Sequence, residues 1–112
     1  MALDTTTLVT AMTAAGQTLG KSLWKDMQTY MLPELNKIAI QILAIEEAML
    51  KKPAAFTQDG ARALLNMQVT ASIGVVVAMT TLTMLAVQTA LNTILAAVKT
   101  MVNTAIGFVL IA

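Results

Sequence analysis

The sequence predicts an all-α protein. In the form expected, a long αα-hairpin has a first arm kinked near Pro33, a turn near Pro53 and a long apolar C-terminal helix, and it packs into a homo-oligomeric helical assembly. Three observations predict this. Apolar residues recur at steps of three and four through the first half of the chain. The stretch 51–60 is the one strong turn signal in 112 residues. The 36 positions from 63 to 98 hold no formal charge and no proline.

The elements follow in chain order. Asp4 or Thr5 is suited to cap a first helix, because a short polar side chain accepts the orphan backbone N–H groups. Leu8, Met12, Ala15, Leu19, Leu23, Met27 and Tyr30 then share one helical face, with Gln17, Lys21, Lys25 and Gln28 on another. Pro33 fits the first turn of a new helix or a kink in a continuous one. Beyond it Leu35, Ile38, Ile42, Ile45 and Met49 carry the apolar stripe on, while Glu34, Lys37, Gln41 and Lys51 mark the polar side. Lys51 and Lys52 suit a helix C-terminus, Pro53 ends that helix, and Thr57 with Asp59 begins the next. The expected divisions of a single domain, 1–112, are therefore a first arm over 5–51, a turn over 52–58 and an apolar second arm over 59–110. That arm reads as one helix or as two fused without punctuation; unbroken from Thr57 to about Ala105, it would be about 70 Å long, more than twice a ~30 Å hydrocarbon core.

Composition narrows the function. Hydrophobic residues make up 57% of the chain and charged ones only 12%, against about 25% charged in ordinary globular proteins. Such a chain has no reason to stay disordered. A net charge of +1 offers no field for a phosphate backbone, so no nucleic-acid partner is expected. Without Cys or His, the soft metal ligands, the thiol nucleophile and the physiological proton shuttle are missing. Neither a metal nor a cofactor is expected, and the chain is read as no enzyme. The run Met1-Ala2-Leu3-Asp4-Thr5-Thr6-Thr7 lacks the basic and apolar regions of a secretory signal, so no signal peptide is expected.

Candidate functional residues are those that let helices meet. Gly74 and Ala78, Ala86 and Ala90, and Thr93 and Ala97 are small pairs four apart, which allow close backbone approach and point to oligomer or helix packing. Lys21, Trp24, Lys25 and Tyr30 place amphipathic aromatics beside lysines, as at a membrane interface. The same four residues also suit a surface where the rings pack partly buried and the lysines stay solvated. Adjacent Glu46 and Glu47 point about 100° apart on a helix and are expected to be solvated.

The expected function is that of a non-enzymatic, self-assembling structural subunit of a helical homo-oligomer, a ring, tube or filament. A lipid bilayer is its second candidate partner, reached through the apolar arm. The alternatives are a membrane-permeabilising, pore-forming protein of holin-like or toxin-like kind, and a soluble helical-bundle scaffold. The expected location is a membrane surface or a large assembly, and the cytoplasm for a soluble protein. The uncharged Thr, Gln and Asn residues of the second arm separate these: they should line water in a pore, lie between subunits in a filament and reach the outer surface in a soluble bundle.

Overall fold

The structure, a computed structural model, describes residues 3–112; Met1 and Ala2, the start of the N-terminal run, lie outside the described residues. The described residues form five helices and no strand: α1 (Thr5–Gln17), α2 (Lys21–Met49), α3 (Gln58–Met79), α4 (Met84–Ala96) and α5 (Lys99–Ile106). The all-α class is as expected. The second arm, expected over 59–110 as one long helix or two fused helices, is instead three helices, and the fold extends only 45 Å along its longest axis.

Local chemistry explains each boundary. Asp4 caps α1 by accepting from the Thr7 N–H at 2.7 Å. The first arm breaks at Thr18-Leu19-Gly20, where Gly20 adopts φ +109°, a conformation that L side chains rarely reach. Pro33 ends nothing: α2 runs through it, and its missing N–H falls on an exposed side of the helix. The Thr57 hydroxyl caps α3 by accepting from Gly60 N–H at 2.9 Å. The unexpected break at 80–83 is made by threonines. Thr80 turns extended and its hydroxyl donates to the Val76 carbonyl, while the Thr83 hydroxyl caps α4 by accepting from Ala86 N–H. Such side-chain bonds compete with helix continuation.

The breaks let α4 return against both α3 and α1, while α2 packs against α1, α3 and α5. The core is built on α2, where Met27, Met31, Leu35, Ile38 and Ile42 are fully buried; Leu8 and Met12 of α1 and Leu91 and Ile94 of α4 close over it. A chain folded back this way covers much of its own apolar surface, which an extended hairpin leaves to its neighbours.

Candidate functional site

One helix does not share in this covering. α3 turns Ala61, Leu65, Ser72, Ile73 and Val76 inward, and Gln68 satisfies the buried Ser72 hydroxyl at 3.1 Å. Its opposite face is exposed along Ala63, Asn66, Met67, Thr70, Ala71, Gly74, Val75, Ala78 and Met79. Met67 is 68% exposed and Met79 55%. Among the described residues α3 is the one helix long and apolar enough to cross a membrane, yet only 22% of its most apolar stretch is buried; α4 and α5 reach that length together only across a 58° bend. Ala63, Asn66, Met67, Thr70 and Ala71 line a shallow groove on this face.

The expected helix-packing residues divide. Gly74 and Ala78 lie on the outer face of α3, in line with Asn66 and Thr70 at steps of four. A Cβ built at Gly74 meets nothing within 4 Å, so nothing within the fold calls for glycine there. Ala90 is buried on α4, where it serves packing within the chain, and Ala86 is half-buried. Thr93 and Ala97 are exposed on and just after α4. Asn66, Met67, Thr70 and Ala71 did not stand out in the sequence, although the step of four through 66, 70, 74 and 78 carries the signal.

Of the expected membrane-interface residues, Lys21 and Lys25 are exposed, Tyr30 is half-buried against the core and Trp24 is buried. The Trp24 ring fills the space over Gly16, where an added Cβ would lie 2.7 Å from Cη2 and 2.8 Å from Cε3. The arrangement joins α1 to α2 and takes the indole off the surface.

Two further features lie near the charged turn. Glu47 is exposed as expected, but Glu46 is fully buried, and neither carboxylate oxygen has a hydrogen-bond partner. It falls four residues after Ile42 and seven after Ala39, on the covered side of α2. The segment after α5 is pinned back onto the bundle. Gly107 reverses the chain at φ +91°, and the Asn103 side chain accepts from Leu110 and Ile111 N–H and donates to the Ile111 carbonyl, at 2.9 to 3.0 Å. Arg62 donates to the Val109 carbonyl at 2.7 Å, pairs with Asp59 at 2.9 Å and lies 5.4 Å from the Phe108 ring centroid.

Among the described residues no three Asp or Glu side chains come together as a metal site. A partly open cavity of about 450 Å³ is lined by Arg62, Asn66 and Asn92 together with Leu65, Leu95 and Leu110. Its one charged lining side chain, Arg62, is engaged as above. The chain matches no protein-family model, no curated protein and no solved structure.

Proposed function

We propose that the protein is a non-enzymatic, self-associating structural subunit that builds a helical homo-oligomer, a ring, tube or filament, through the outer face of α3. One observation carries this reading: a 22-residue apolar helix, folded into a bundle, keeps an uncharged face of Ala, Gly, Val and Met uncovered. Exposed continuous apolar faces of this kind mark contact surfaces. Other apolar side chains are exposed elsewhere, among them Ile40, Leu50, Met84, Leu85 and Val109, but on α3 alone they fall on one face of a helix long enough to make a continuous surface. The protein is prepared without detergent and its mass followed by light scattering across a concentration series. Mass rising above the 11.8 kDa of one chain is expected; a constant 11.8 kDa at all concentrations overturns the reading.

A second reading, a pore-forming protein, draws on α3 together with the bent α4–α5 pair, which make up to two spans by length and composition. It expects release of dye trapped in lipid vesicles at protein concentrations where the first reading expects none. The third, a soluble scaffold, draws on the outward-facing Thr, Gln and Asn side chains of α4. It expects a small oligomer of fixed size that remains in the soluble fraction.

A further inference from the structure

We infer that the cavity between α3, α4 and the C-terminal segment is a binding site for a small uncharged amphiphile, an aliphatic chain headed by an amide or hydroxyl group. The inference goes beyond the self-association proposed above and does not depend on it.

Size comes first. The interior of a folded chain is close-packed, and openings larger than a water molecule are few. This one measures about 450 Å³, within the range that takes a small organic molecule. The first half of α3 and the second half of α4 form two of its sides, and Leu110 and Ile111 form a third. That third wall is fastened. The Asn103 side chain holds Leu110 and Ile111 through their backbone, and Arg62 holds the Val109 carbonyl just before them. Walls set in place before a ligand arrives spare it the cost of ordering them.

The lining then selects the chemistry. Leu65, Val69, Leu95, Leu110 and Ile111 offer apolar surface, and no aromatic ring stands among the lining residues to stack on, so the body of the ligand is aliphatic. The polar side chains are Arg62, Asn66 and Asn92. Water in the cavity can bond to these three but gains nothing from the apolar walls, whereas a molecule apolar at one end and polar at the other suits both. A guanidinium has five N–H donors in a fixed fork. On Arg62, Nε serves the Val109 carbonyl and Nη1 serves Asp59, which orients the group and leaves donors over for a guest. Each Asn amide both donates and accepts, so a head that does the same, an amide or a hydroxyl, matches the set. Charge is disfavoured. Arg62 is the one charged side chain in the lining and already lies 2.9 Å from Asp59, so a charged head of either sign would leave water without a counter-charge of its own.

The test titrates the full chain, labelled with nitrogen-15, with octanamide and follows the amide signals by NMR. The side-chain amides of Asn66 and Asn92 and the backbone amides of Leu110 and Ile111 should shift together and saturate, with a dissociation constant on the order of 1 mM for a ligand of about ten heavy atoms. Octanoate, with the same chain length and a charged head, should bind at least five-fold more weakly. Ala96 lines the cavity and is exposed at the end of α4, so Ala96→Phe should fill the space from its rim and weaken octanamide at least ten-fold with no fall in thermal midpoint. If that variant unfolds earlier, Asn92→Leu, also at an exposed position, removes a polar partner and should weaken octanamide at least three-fold. No saturable shift, shifts centred on Met67 and Thr70 of the outer face of α3, or parent-like affinity in a folded variant overturns the site. Octanoate binding as tightly as octanamide overturns the uncharged head. None of these results alters the mass seen in light scattering, so the self-association reading stands or falls separately.

Discussion

Gly16 lets α1 and α2 meet, because the Trp24 ring occupies the volume a side chain would need. Both the indole and the backbone beneath it are rigid, so Gly16→Ala is expected to lower stability by about 1–2 kcal/mol, overpacking outweighing the better helix propensity. Trp24 is the only tryptophan, and its fluorescence follows the unfolding directly in a urea titration. Glu46 runs the other way. A buried carboxylate with neither oxygen hydrogen-bonded opposes folding, so Glu46→Leu is expected to raise stability by at least about 1 kcal/mol, read as a higher urea midpoint with unchanged slope. An unchanged or lower midpoint would mean that the carboxylate has a partner in solution. Neither residue's place was legible in the chain. Trp24 beside two lysines has the pattern of an interface anchor, and only the turn at Gly20 brings it over Gly16. Glu46 lies beside charged Glu47, and only its register with Ala39 and Ile42 shows that it must go inward.

At the scale of elements, the helical periodicity of α1 and α2 was legible, and so were the caps at Asp4 and Thr57, because they follow from spacing and from short polar side chains. The break at 80–83 was not, since no glycine or proline marks it. Its signal is the cluster Thr80, Thr81, Thr83, whose hydroxyls replace backbone partners. The α1 cap has a pH signature. The Thr7 N–H and hydroxyl both donate to Asp4 and hold its carboxyl below the ordinary 3.8. With the folded value depressed, the cap contributes fully above 3.8 and is lost as the pH falls through the lower folded value. The Thr7 amide should therefore lose hydrogen-exchange protection before the core amides on acidification, and Asp4→Asn should remove that pH dependence. The segment 107–112 depends in the same local way on Asn103. Asn103→Ala removes three hydrogen bonds that hold Leu110 and Ile111 in place, so the amides of Leu110 and Ile111 should exchange freely, with about 1–3 kcal/mol of global stability lost.

For the whole molecule, the low charge content announced an unusual amount of apolar surface in search of cover. The chain supplies most of that cover itself, by breaking the uncharged stretch twice and folding it over α2. What remains is the outer face of α3, an adjacent exposed pair, Met84 and Leu85, at the start of α4, the latter 72% exposed, and exposed residues elsewhere such as Ile40, Leu50 and Val109. This distribution bears on the size of any assembly. A contact that uses the outer face of α3 on both copies is isologous and closes on itself, so by that contact alone growth stops at two chains. A ring, tube or filament needs a second, different contact, and adjacent Met84 and Leu85 are the most exposed apolar pair outside α3 that offers one. The double substitution Met84→Ser with Leu85→Ser should therefore leave the two-chain mass, twice 11.8 kDa, unchanged in light scattering while abolishing any larger particle. Gly74→Leu should remove both, because the pair is the unit from which larger particles grow. Large particles that persist in the double variant would place the second contact elsewhere on the bundle. Because both contacts are apolar, association should hold or strengthen as salt rises from 0.05 to about 0.5 M, whereas an assembly held by Lys51 and Lys52 would weaken over the same range.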